Sequence, residues 1–248
     1  MCHDPSSRPP APPVIGEVAG SGPLELIASD GNHFAAFEAV PAVPSGVGVV
    51  LLPDIRGLHP FYVALTERFA EAGLTTVAMD YFGRTNGVSQ RDDMFDWQAE
   101  LPKVTPEHVR EDVRACADRL RAEHGVTSVL TLGFCYGGGH SWGLGASNLG
   151  LAGCVGFYGR AALLAEVVDE VNTPLLMLIA GADHVTPTEE FLGLRDQLVA
   201  RGADVDLHVY DGAPHSFFDR SFAEWQGACT DVWKQILAFA GRTAVTTA

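Results

Sequence analysis

Short, continuous apolar runs alternate along this chain with longer stretches of helical periodicity. The runs at 74–79, 126–132, 151–158 and 175–180 lack the polar alternation of a half-exposed strand, so they predict parallel strands covered on both faces. A further strand is predicted at 205–210. Helices are predicted at 61–72, 106–123, 139–147, 188–200 and 222–240, between and after those strands. Nearer the N-terminus, 24–27 and 34–39 flank Ser29-Asp30-Gly31-Asn32 and predict an antiparallel hairpin. This alternation predicts an α/β fold, a mostly parallel central sheet with helices on both faces, in a single domain over 21–248. Residues 1–20 are Pro-rich without apolar periodicity and predict a flexible tail. No internal repeat is present.

The run 126–132 leads into Gly133-Phe134-Cys135-Tyr136-Gly137, a cysteine between small residues. This is the pattern of a nucleophile elbow, where the chain turns sharply from strand to helix and pushes the central side chain outward in strained backbone. The following helix would aim its N-terminal amides at the sulfur and favour the thiolate. A buried free cysteine in a glycine-rich turn would look the same, so the surroundings decide. Gly181-Ala182-Asp183 ends one predicted strand, and the loop Asp211-Gly212-Ala213-Pro214-His215 follows another. The order Cys135, Asp183, His215 is nucleophile, acid, base, the chain order of the α/β-hydrolase triad, and each member falls just after a strand. Taken singly, Asp183 also fits a cap for a helix near Thr188, and His215 is one of nine histidines.

With Gly133-Phe134-Cys135-Tyr136-Gly137-Gly138, the stretch Leu51-Leu52-Pro53-Asp54-Ile55-Arg56-Gly57, the segment Met79-Asp80-Tyr81-Phe82-Gly83-Arg84 and the group His215-Ser216-Phe217, the chain resembles the dienelactone hydrolase family. The resemblance spans roughly 24–239. It implies hydrolysis of a small ester or lactone through a thioester acyl-enzyme, with the amides of Ile55 and Tyr136 as oxyanion donors. A family glutamate that activates the cysteine corresponds here to Asp54, one methylene shorter; pairing with Arg56 or capping of the helix after Pro60 is the other reading. Arg84 and Arg220 are candidate clamps for a substrate carboxylate, since a guanidinium offers a bidentate fork. Each also fits a surface salt bridge. Phe95 and Trp97, within an acidic segment, are candidates for a substrate-facing lid.

Composition narrows the classes. A net charge of −15, from 31 acidic against 16 basic side chains, argues against nucleic acid or an anionic membrane as partner. No nucleotide-binding glycine pattern follows a strand, so no cofactor is expected. The five cysteines are odd in number and without a C-x-x-C pair, which suits reduced thiols; no His/Cys/Asp group has ligand spacing, Cys2-His3-Asp4 being a lone cluster in the expected tail, so no metal is expected. Cys116, Cys154 and Cys229 read as packing residues, and His140 and His184 as structural. With no signal-peptide pattern and no apolar run of about eighteen residues, a cytoplasmic protein is expected, monomeric or a small homo-oligomer. The expectation for function is a small-molecule ester or lactone hydrolase. The alternatives are a general small-ester or thioester hydrolase, or a ligand-binding protein on a hydrolase scaffold.

Overall fold

The structure, a computed structural model, describes residues 9–219 and 221–244. Eight strands form one sheet in the order β1-β2-β4-β3-β5-β6-β7-β8. The elements are β1 (Val18–Ile27), β2 (His33–Pro41), β3 (Val47–Leu52), α1 (Pro60–Glu71), β4 (Thr75–Met79), α2 (Gly83–Asn86), α3 (Trp97–Glu100), α4 (Pro106–His124), β5 (Ser128–Phe134), α5 (Tyr136–Gly143), β6 (Gly153–Phe157), α6 (Ala161–Ala165), β7 (Leu175–Ala180), α7 (Thr188–Ala200), β8 (Val205–Tyr210) and α8 (Gln226–Thr243). β1 and β2 pair antiparallel, as does β2 with β4, and every other pairing is parallel.

Strand alternation divides the core into two layers. Val49, Leu51, Leu130, Leu132 and Phe134 face α1 and α8, meeting Phe61, Leu65, Phe69, Trp233 and Phe239. Val50, Leu52, Val77, Val129 and Met177 face the opposite way, against Val113, Leu120, Trp142, Phe191 and Leu198 of α4, α5 and α7. The inner strands β3 to β7 are buried along their whole length, which is why they read as unbroken apolar runs. Cys116, Cys154 and Cys229 are buried in these layers, and burial pushes the thiols of Cys154 and Cys229 up to about 12. Among the described residues no helix is long and apolar enough to cross a membrane.

Within the span 1–20 expected to be a tail, residues 10–20 are engaged by the fold. β1 already begins at Val18, and before it Pro10 O accepts the Trp233 indole N–H at 3.2 Å while Gly16 N–H donates to Glu71 O at 2.7 Å. A Pro-rich stretch lacks amide donors but keeps its carbonyls, so it can serve a buried indole without pairing as a strand.

One buried carboxylate fixes the loops above the sheet. Asp80, at the end of β4, accepts Leu58 N–H at 3.1 Å through Oδ1 and Phe82 N–H at 3.0 Å through Oδ2. Arg91 adds two bonds to Oδ2, from Nε at 3.1 Å and Nη2 at 2.9 Å, and both side chains are almost wholly buried. The loop after β3 is thereby tied to the segment after β4. Gly57 takes φ +69 there, and a Cβ on it would fall 2.3 Å from Asp80 Oδ1. Removing the carboxylate would strand the Arg91 guanidinium in the interior. Asp80→Ala is therefore expected to lower the unfolding free energy by about 3–5 kcal/mol, measured by urea denaturation. A loss below about 1 kcal/mol would show the loops to be held by other contacts.

Candidate functional site

β5 ends at Phe134 and α5 begins at Tyr136, so Cys135 alone makes the turn between them. Its φ of 52° and ψ of −109° lie where side-chain-bearing residues are rarely found. The turn closes because its flanks are bare: a Cβ on Gly133 would sit 2.0 Å from Gly137 O, and one on Gly137 2.3 Å from Leu52 O. Cys135 N–H donates to Phe157 O at 3.0 Å, which anchors the turn to β6. The cysteine is half-buried and lines a cleft of about 330 Å³ together with Ile55, Trp97, Leu101, Tyr136, Tyr158, Arg160, Val185 and His215.

β7 and β8 are neighbours, so the loops that follow them leave the sheet side by side, and Ala182 N–H donates to Ala213 O at 2.9 Å between them. His215 Nδ1 lies 2.7 Å from Asp183 Oδ2. The other oxygen of Asp183 accepts Val185 N–H at 2.8 Å, and the carboxylate is 1% exposed. An Nδ1–H given to Asp183 leaves Nε2 as the basic nitrogen of His215. The Tyr158 ring packs against the imidazole with centroids 4.9 Å apart. The helix-cap alternative for Asp183 is not realised, because α7 starts behind Pro187 with no side-chain cap.

Two amides complete the cleft. Tyr136 opens α5, so its N–H has no acceptor within the helix. After β3, Arg56 N–H donates to Asp54 Oδ1 and Gly57 N–H to Asp54 O, while Ile55 N–H has no acceptor among the described residues. β3 and β5 pair with Leu52 opposite Gly133, so these two loops emerge together. They do so where the strand order reverses direction, the position at which open α/β sheets carry their sites.

Several expected residues stand elsewhere. Arg84 does not line the cleft; it is paired with Asp30 and, at 2.8 Å, with Asp112. Two carboxylates engage its guanidinium, so the salt-bridge reading replaces that of a substrate clamp. Asp54 is fully buried, with Oδ2 2.6 Å from Arg56 Nη2 and Oδ1 3.0 Å from Arg56 Nε, which realises the pairing with Arg56 that the sequence left open. Phe95 is drawn away from the cleft, against Phe82 at 4.8 Å and beneath Arg91, whereas Trp97 does line it. Arg220 lies outside the described residues, as does Cys2-His3-Asp4. The sequence reading missed Leu101, Tyr158, Arg160 and Val185. For Arg160 a signal existed, since it follows the apolar run 151–158 at the same strand edge that located Asp183.

A second cleft of about 220 Å³ adjoins the first, sharing Tyr136 and Arg160 with it and continuing along Val104, Pro106, His140 and Leu163. His140 packs edge-on to the Tyr136 ring at 4.4 Å, and burial pushes its imidazole down to about 4.

Strands, turn and loops in this arrangement define an α/β-hydrolase fold with a cysteine at the elbow. A family model described as the dienelactone hydrolase family matches residues 34–243, and the chain belongs to that family. A Saccharolobus solfataricus protein provisionally named a carboxymethylenebutenolidase is 25% identical over 87% of this chain and 96% of its own length. A Xenopus tropicalis carboxymethylenebutenolidase homolog is 24% identical, covering 76% of this chain and 77% of its own. A Klebsiella pneumoniae crystal structure provisionally titled a dienelactone hydrolase superposes with a TM-score of 0.73 at 25% identity, over 90% of this chain and 99% of that one. An esterase of Pyrococcus furiosus shares the fold, with a TM-score of 0.65 at 14% identity over 95% and 96% of the two chains.

Two buried groups give this fold opposing responses to pH. His140 is held from its ordinary 6.5 down to about 4, so between those values the unfolded chain takes a proton that the folded chain refuses. Its contribution is complete above pH 6.5 and lost as the pH falls toward 4, on the order of 3 kcal/mol. Burial raises Asp112 from 3.8 to about 6, so its contribution is complete below 3.8 and lost as the pH rises through 6. His140→Gln removes the first term alone. Urea titrations between pH 4 and 7 are expected to show that the variant loses less stability on acidification than the wild type; parallel curves would deny His140 this role.

Proposed function

We propose that the chain hydrolyses a small ester or lactone through a thioester on Cys135, with His215 as general base and acid and Asp183 as its orienting carboxylate. The observation that carries this reading is the His215–Asp183 bond of 2.7 Å at the cleft that Cys135 lines, with two acceptor-free amides at the same cleft. The names of the relatives support a lactone or ester as substrate, and the mostly apolar lining supports a small, largely apolar one.

Each step follows from an assigned atom. His215 Nε2 takes the Cys135 thiol proton as sulfur bonds to the substrate carbonyl carbon, and Asp183 steadies the resulting imidazolium. The carbonyl oxygen becomes an oxyanion, which Ile55 N–H and Tyr136 N–H stabilise. As the tetrahedral intermediate collapses, the C–O bond to the alkoxide breaks and His215 protonates the leaving oxygen; in a lactone that group stays tethered to the acyl chain. Water then gives a proton to His215 and attacks the thioester, the C–S bond breaks, the proton returns to sulfur, and the product leaves as the carboxylic acid, which ionises to solvent. Asp54, held by Arg56, organises the loop that presents Ile55.

Cys135→Ala is expected to lower kcat for a p-nitrophenyl ester by at least about a thousandfold. Its urea stability should stay within about 1 kcal/mol of wild type, because the side chain sits at a half-exposed turn. Retention of more than about a hundredth of the rate would exclude covalent catalysis at this position. Asp183→Asn should reduce kcat by about 10³–10⁴ with little change in KM, since an amide favours the wrong imidazole tautomer. A silent Asp183→Asn would move the carboxylate role to another residue.

A further inference from the structure

In a chain with nearly twice as many acidic as basic side chains, an arginine has little trouble finding a carboxylate. Arg56, Arg68, Arg84, Arg91, Arg110, Arg114, Arg119, Arg121, Arg195, Arg201 and Arg242 all do so. Among the described residues Arg160 alone is an arginine without an ion pair. It is exposed, and it stands at the junction of the two clefts, lining both the one that holds Cys135 and His215 and the one that runs past His140. Its charge opposes the upward push that burial exerts on the Tyr136 phenol, so its field reaches the residue next to the nucleophile.

Resting on the thioester-hydrolase reading, we infer that Arg160 selects esters or lactones bearing a carboxylate, which it holds at the junction of the two clefts while the scissile carbonyl lies at Cys135. A guanidinium is weakly hydrated and offers paired donors matched to a carboxylate. The nearby lining supplies little else that is charged: Ile55, Trp97, Tyr158 and Val185 are apolar or aromatic, and His140 stays neutral near pH 7. Arg84 cannot take this part, because Asp30 and Asp112 already occupy it. The neighbouring cleft beyond Arg160, along Val104, Pro106 and Leu163, leaves room for an apolar arm on the same substrate.

The test compares kcat/KM for the p-nitrophenyl monoester of adipic acid with that for p-nitrophenyl hexanoate, which has the same chain length without the charge. Arg160→Met is expected to lower the ratio of anionic to neutral rates by about five- to thirtyfold, short of the hundredfold of a fully desolvated contact because the side chain is exposed. Arg160→Lys should restore part of it, and Arg84→Met should change stability while leaving the ratio in place. A ratio within about twofold of wild type in Arg160→Met overturns the inference. A second readout does not require turnover: the rates at which iodoacetate and iodoacetamide alkylate Cys135, followed by peptide mass, give an anion preference that should fall in Arg160→Met. Should Cys135→Ala still hydrolyse both esters, the thioester reading fails while these two ratios still decide the role of Arg160. A wild type that favours neither ester nor iodoacetate beyond the reagents' intrinsic reactivities overturns it as well.

Discussion

The site hangs on a carboxylate that never touches it. Asp80 receives two backbone amides and both the Nε and Nη2 of Arg91, and in doing so joins the loop after β3 to the segment after β4. Ile55 lies in the first of these, and Phe95 and Trp97 follow from the second. A buried charge of this kind contributes little net stability when paired, but its geometry is demanding, since every lone pair it buries must find a donor. The result is a rigid base for a cleft whose own walls are apolar and make few polar bonds.

Above that base the charges are sorted. Most arginines are used locally, at distances of a few ångströms, to hold helices and loops. Asp54 and Arg56 form such a pair beneath the cleft, and Arg84 bridges the hairpin to α4 through Asp30 and Asp112. The chain's cations are therefore engaged at short range, and in saline solution the field of the negative excess they leave decays over about 8 Å. What a ligand meets at the elbow is set by the few groups lining the cleft rather than by the net charge.

Much of this was legible in the sequence, for reasons that differ by residue. β7 matches the range 175–180 because an apolar run bounded by turn residues leaves few other options, and β8 and α7 match 205–210 and 188–200. Cys135, Asp183 and His215 could be proposed from local pattern and chain order alone. Arg84 could not be placed, since its partners lie 54 and 28 residues away and nothing local names them. Asp54 went the other way: its partner stands two residues on, and the pairing was visible as an alternative. α2, α3 and α6 went unread because helices of four or five residues carry too little periodicity to register. Pro10 looked like part of a tail, because a single carbonyl accepting an indole leaves no trace in composition.

The register of β3 against β5 has a consequence for how this cleft tolerates change. Leu52 lies opposite Gly133, and one loop leaves the sheet just after each. The two loops that carry the Ile55 and Tyr136 amides thus start from adjacent strands about 4.8 Å apart, a spacing that backbone bonding sets for every sheet whatever its side chains. A repacked core can shift helices and reshape the cleft walls without altering that interval. Drift of the lining and constancy of that strand spacing are thereby uncoupled, so the cleft walls can change while the roots of the two loops keep the same gauge.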